Sequence, residues 1–132
     1  MATTAALSAS FRTKIIGALR NVADVTKFVP YLSLHTGDPS TTGANEVTNG
    51  TCPGYVRKAV TLGGDVAGLS KNTTAVVGPT ASGDWVQTSW YGLWDAETSG
   101  NFVGKCQLDT AKTVLSGDHY EFAIDAIQVT IN

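Results

Sequence analysis

The spacing of apolar and polar positions changes period once along this chain, at Pro30. Before it, Leu7, Phe11, Ile15, Leu19 and Val22 recur at spacings of four, four, four and three. That repeat predicts a helix over 7–22 with one apolar stripe. Ser8 or Ser10 is placed to cap its start by accepting a bond from a free backbone N–H. Gly17 weakens the helix by about 1 kcal/mol relative to Ala. Arg12, Lys14 and Arg20 fall off the stripe, so the helix has an apolar face and a basic one.

After Pro30 alternation takes over. In "YLSLH" (31–35), Leu32 and Leu34 share one face while Tyr31, Ser33 and His35 share the other. Asn49-Gly50 is a strong turn signal, because both residues tolerate positive φ. Strands are expected over 55–62, closed by Gly63-Gly64, and over 72–77, stopped by Gly78-Pro79. Residues 84–96 alternate, with Val86, Trp90 and Trp94 facing one way and Gln87, Ser89 and Asp95 the other. Gly92 in that strand lets a bulky neighbour lie flat against the backbone. Phe102, Gly104, Cys106 and Leu108 line a further strand face. After the "SGD" turn come Tyr120, Phe122 and Ile124, then Ile127, Val129 and Ile131.

Short strands separated by turns, with no second helical pattern, predict a mainly β protein. The expected architecture is an antiparallel, jelly-roll-like β-sandwich over 31–132, led by a helical segment, 1–30, with one N-terminal amphipathic helix. Trp94, Phe102, Phe122, Ile124 and Val129 are the expected core.

Composition narrows the function classes. The 132 residues suit one domain with a modest core. Charged residues make up only 15% while Thr occurs 18 times, which suggests a surface largely covered by neighbours. A net charge of −2 excludes a general nucleic-acid binder. That charge is unevenly spread: residues 1–27 carry +3 and the remainder −5. No apolar run approaches the ~18 residues that span a membrane. "MATTAALSAS" has neither a basic n-region nor an apolar h-region, so no signal peptide is expected. Cys52 and Cys106 have no CxxC spacing and are expected as separate reduced thiols rather than zinc ligands.

Candidate chemistry is sparse. A nucleophilic Ser or Cys needs a His and an orienting acid, and the chain offers only His35 and His119, with no nucleophile elbow. "HTGDPS" has the composition of a turn in which Asp38 bonds back to the backbone. "LGGDVAGLSKNTT" lacks the phosphate-loop pattern. The carboxylate pairs Asp95/Glu97 and Glu121/Asp125 have a spacing that a glycosidase could use, yet read as solvated loop acids. "DAETSGN" lacks calcium-loop spacing. Trp85, Trp90, Tyr91 and Trp94 could stack on sugars or bases, but tryptophans on alternate faces of a strand are more often core. No catalytic, cofactor-binding or metal site is expected.

The motifs together resemble a known family. They are a strand reading L-H-T-x-D-P (34–39), a T-G-A-N-E-V loop (42–47) and a tyrosine-led strand from Tyr55. A G-[LI]-W-D-A segment (92–96) and an L-x-x-x-K-T-V-x-x-G-D hairpin (108–118) complete the set. In this combination the chain is similar to small tailed-bacteriophage virion proteins over about 31–132. "GTCPGY" departs from the plainer Gly/Ser run expected before the tyrosine, leaving Cys52 without a family role.

The resemblance implies a structural virion protein and brings no catalytic residues. Two roles follow from it, the first being the expected one and the second its alternative. One is a capsid cement or decoration protein on the capsid surface, assembled in the host cytoplasm, binding the major capsid protein and itself as a homotrimer. The other is a tail or tail-fibre component that binds the host. Phe11, Arg12, Lys14, Ile15, Leu19 and Arg20 are the candidate assembly interface. No cofactor, small molecule, direct nucleic-acid contact or membrane is expected.

Overall fold

The computed structural model describes residues 3–20, 27–64 and 66–130, with backbone alone for 3–6. The chain opens with a strand, β1 (Thr3–Leu7), that the periodicity does not announce. Helix α1 follows over Ala9–Leu19 and is shorter at both ends than the apolar stripe. Leu7 ends β1, Arg20 is the C-cap, and Val22 lies outside the described residues, as do Asp24 and Ile131.

Ser8 makes the switch from strand to helix. Its Oγ accepts the Phe11 N–H at 3.2 Å as an N-cap and donates to the Phe102 carbonyl at 2.7 Å. Its own N–H donates to the Val103 carbonyl. One residue therefore caps α1 and ties it to the sheet.

The remaining elements are β2 (Tyr31–His35), β3 (Lys58–Ala59), β4 (Leu69–Lys71), β5 (Val76–Val77), β6 (Thr88–Trp94), β7 (Phe102–Lys112), β8 (Glu121–Phe122) and β9 (Ile127–Thr130). Seven of the nine strands among the described residues form one sheet in the order β3-β2-β6-β7-β1-β9-β4. Every pairing in it is antiparallel except β1 with β9. Strands β5 and β8 form a second, two-stranded sheet. The protein is mainly β with antiparallel sheets and one helix, as the patterning predicts. The large sheet stays open, with β3 and β4 at its edges.

Register decides which side chains meet. Leu32 lies opposite Leu93, and Leu34 opposite Tyr91. These four belong to the main core, which also takes in Val60, Val76, Trp85, Val103, Cys106, Val114 and Ile127. The small sheet closes over them: Phe122 of β8 meets Tyr91 edge-on at 5.4 Å, and Tyr120 reaches Trp85 at 6.0 Å. Each such buried side chain contributes about 1.5–3 kcal/mol.

Several expectations are corrected in detail. The strand expected over 55–62 pairs only at Lys58–Ala59, with an isolated bridge from Leu62 to Asn72. That over 72–77 keeps only Val76–Val77, while β4 forms in the stretch next to it. Val86 is exposed, because β6 begins two residues later. Trp94 and Phe102 are buried; Phe122 and Val129 are half-buried against the core. Ile124 is 60% exposed. The chain turns there, with Asp125 at φ 66 and the Ala126 N–H bonded to the Ala123 carbonyl, so Ile124 leaves the strand line. Cys52 and Cys106 are buried free thiols.

Candidate functional site

The second face of β2 and β6 carries the polar residues that the alternation set apart. Ser33 lies opposite Gly92 and His35 opposite Trp90, and the loop after β2 folds back over them. That loop is pinned by bridges between His35 and Glu46 and by the Thr36 N–H on the Asn45 carbonyl. Ser33 and His35 are consequently both fully buried.

Their hydrogen bonds leave one consistent assignment. The Ala44 carbonyl can only accept, so His35 Nδ1 carries the proton and donates to it at 2.7 Å. Nε2 then accepts from the Ser33 hydroxyl at 2.7 Å, and Ser33 Oγ accepts the Trp94 indole N–H at 2.9 Å. The bonds among Trp94, Ser33, His35 and Ala44 are all satisfied with a neutral ring. Burial holds His35 below the usual histidine range and Arg57 adds to this, against the Ala44 bond and Glu46.

The packing here needs two glycines. A Cβ on Gly92 would lie 2.6 Å from the Phe102 ring and 2.8 Å from both His35 Nε2 and Ser33 Oγ. The expectation that Gly92 admits a bulky neighbour therefore holds, and the neighbour is Phe102. Gly43, at φ +79, lies where a Cβ would run into the Trp94 indole.

Over the outer edge of Trp94 sits a second network. The Arg57 guanidinium lies 3.8 Å from the indole centroid and grips Glu46 in a fork, Nε to Oε1 at 2.8 Å and Nη2 to Oε2 at 2.7 Å. Its Nη1 donates to the Ala96 and Ser99 carbonyls, which belong to the loop between β6 and β7. Tyr55 Oη donates to Glu46 Oε1 at 2.9 Å and accepts the Leu34 N–H. Burial, with Glu46 alongside, drives the Tyr55 phenol far above its usual range, so it stays a donor. One arginine, in the segment before β3, thus joins the β2 loop to the β6–β7 loop.

Exposed turns finish the arrangement. Asp38 accepts the Ser40 N–H at 2.8 Å, the turn bond expected from "HTGDPS", and pairs with Lys105 of β7 at 2.6 Å. Those two bonds, Lys105 first, hold its carboxyl below the usual range. Asp95 closes the "DAETSGN" loop by accepting both the backbone and side-chain N–H of Asn101. Partial burial opposes its ionisation, but the Asn101 bonds with the Lys14 charge outweigh this and lower its pKa.

Chemically, Ser33 and His35 have the separation of a nucleophile and its base. Neither is reached by solvent, and the ring's other nitrogen faces a carbonyl where a triad would place a carboxylate. Asp95 is engaged in its own loop, and Glu121 and Asp125 are exposed. No group of three or more His, Cys, Asp or Glu side chains that could hold a metal ion occurs among the described residues. Trp85, Tyr91 and Trp94 are core, and Trp90 is half-buried beneath Lys105.

The proposed assembly residues are split. Phe11 packs on the core and on Phe28, Ile15 is half-buried, and Arg12, Lys14, Leu19 and Arg20 are exposed. An apolar groove of about 440 Å³ beside Phe11 is lined by Leu7, Phe28, Val60, Leu93 and Val129. A second, of about 510 Å³, lies between the end of β7 and β8 and includes Tyr120. The Tyr120 hydroxyl is buried with no bonding partner among the described residues.

Sequence reasoning missed Glu46, Tyr55 and Arg57. It also missed Asn72, fully buried, whose amide bonds the Thr74 and Ala123 carbonyls and the Ile127 N–H. For Glu46 and Tyr55 a signal was present. Leu34, His35, Gly43, Ala44, Glu46, Tyr55, Gly92 and Trp94 are all motif positions, and the structure gathers them around one pair of networks.

Comparison with known proteins agrees with this pattern. The family model described as "Podophage GP4 fiber I protein gp80" matches residues 6–130. No curated protein matches the chain.

Proposed function

The chain belongs to the podophage fiber I protein gp80 family, and from that premise we propose that this structural phage protein serves in the tail fibre. The observation that carries the reading is the match across 6–130, nearly the whole chain, to a family described as a fibre protein. A role as capsid cement on the shell, bound to the major capsid protein, has no comparable support and gives way to the fibre reading.

The internal arrangement suits a building block. Motif residues that could be mistaken for a catalytic constellation are used to hold the β2 loop against β6 and the β6–β7 loop. The proposed role involves no catalysis. Rigid loops of this kind present a fixed outer surface, which a repeated assembly needs.

Copy number tests the assignment. Quantitative mass spectrometry of purified particles is expected to find this chain at tail-protein stoichiometry, far below the coat protein. A ratio close to that of the coat protein would return it to the capsid shell.

A further inference from the structure

Two exposed patches on this chain are apolar at the centre and opposite in charge at the rim. The first is the outer side of α1. Arg12, Ile16, Leu19 and Arg20 recur at helical spacing along it. All four are exposed, Ile16 by 54% and Leu19 by 79%. Neither guanidinium has an ion-pair partner among the described residues.

The second patch surrounds β8. Val77 lies opposite Glu121 in the β5–β8 register, and Val77 and Ile124, three residues beyond Glu121, are both exposed. Asp118, Glu121 and Asp125 are exposed along this segment, while Lys112 ends β7 and Lys71 precedes Asn72, whose carbonyl accepts the Asp125 N–H. Large apolar side chains grouped on a surface mark interaction sites.

These patches sit toward opposite ends of β7. Ser8 ties the start of α1 to Phe102 and Val103, at the beginning of β7. The β8 segment faces Leu108, Lys112 and Thr113, in the second half of β7 and just beyond its end. β7 has 11 residues, so at about 3.3 Å per residue its ends lie roughly 30 Å apart.

We propose that the patches bind each other between copies of the chain, the outer side of α1 in one copy against the β8 edge of the next. The partner is a second copy because one sequence supplies both complementary halves, the +3 charge of 1–27 and the −5 of the remainder. The contact is heterologous, joining unlike surfaces head to tail, and closes into a ring where the rotation permits. Ile16 and Leu19 against Val77 and Ile124 supply the burial, while the charges set the register. This holds wherever in the particle the chain sits, so it stands apart from the fibre reading.

The test uses charge reversal, because deleting 1–27 would remove β1 from the middle of the sheet. The double variant Arg12→Glu/Arg20→Glu loses the basic rim, and Asp118→Lys/Glu121→Lys loses the acidic one. Analytical ultracentrifugation of the full chain is expected to show self-association. Each variant alone should associate at least tenfold more weakly while melting like the parent protein. An equimolar mixture should recover association, since the two intact patches match and the two reversed ones, acidic on α1 and basic at β8, also complement each other. A monomeric parent protein, unchanged association of either variant, or a mixture that stays monomeric would each overturn the proposal.

Discussion

Replacing Arg57 with Met removes the centre of the outer network while keeping much of its stem. The loss comprises two charge-assisted bonds to Glu46, at 2.8 and 2.7 Å, and two to the Ala96 and Ser99 carbonyls. It also includes the contact with Trp94 at 3.8 Å. The side chains are 9% and 20% exposed, so the Glu46 carboxylate is left largely desolvated with only Tyr55 to donate to it. Breaking one side of a buried pair costs about 3–5 kcal/mol, and the residual exposure of Glu46 points to the lower end, about 3 kcal/mol. Glu46→Gln keeps the shape and removes the charge; the double-mutant cycle should give a coupling of about 2 kcal/mol. Urea unfolding followed by tryptophan fluorescence reads this well, since Trp85 and Trp94 are both buried. With m near 1–3 kcal/mol/M, the Arg57→Met midpoint should fall by roughly 1–3 M. A loss below about 1 kcal/mol, the range of exposed ion pairs, would show that Arg57 holds nothing together.

Three further outcomes are expected. His35 is held below its unfolded pKa of 6.5, so the unfolded chain takes up a proton that the folded one refuses. Stability is then full above about pH 6.5 and declines as pH falls below it; His35→Gln should be less stable at neutral pH but flatter over that window, and an unchanged slope would remove His35 as the cause. Gly92→Ala should cost about 2 kcal/mol, because its Cβ meets Phe102, His35 and Ser33 at 2.6–2.8 Å; a change under ~0.5 kcal/mol would mean the site relaxes freely. Phe122→Ala, half-buried between Tyr91 and Tyr120, should cost about 3 kcal/mol by denaturant midpoint, whereas Ile124→Ala should stay within ~0.5 kcal/mol in isolated subunits.

What the sequence discloses here is local. β2 shows as alternation, the Ser8 cap as a hydroxyl before a periodic run, and the Asp38 turn as Gly-Asp-Pro. β1 does not show, because "TTAAL" has no apolar alternation and becomes a strand only through neighbours about a hundred residues away, β7 and β9. Strand propensity over 55–62 exceeds the pairing it gets, since that segment spends Tyr55 and Arg57 on the polar networks instead of a ladder. Ile124 reads as core because its turn depends on Asp125 at positive φ rather than on a Gly or Pro. The pair Glu46 and Arg57 has no periodic signature at all. It joins separate loops, and only the place of Glu46 in a motif points to it.

The most direct test of the proposed role is a cryo-electron microscopy reconstruction of the intact phage particle. Density fitting the seven-stranded sheet and α1 is expected at the tail fibres, with none on the capsid shell. The same density repeated at every lattice position of the shell would contradict the fibre assignment and establish a cement protein in its place.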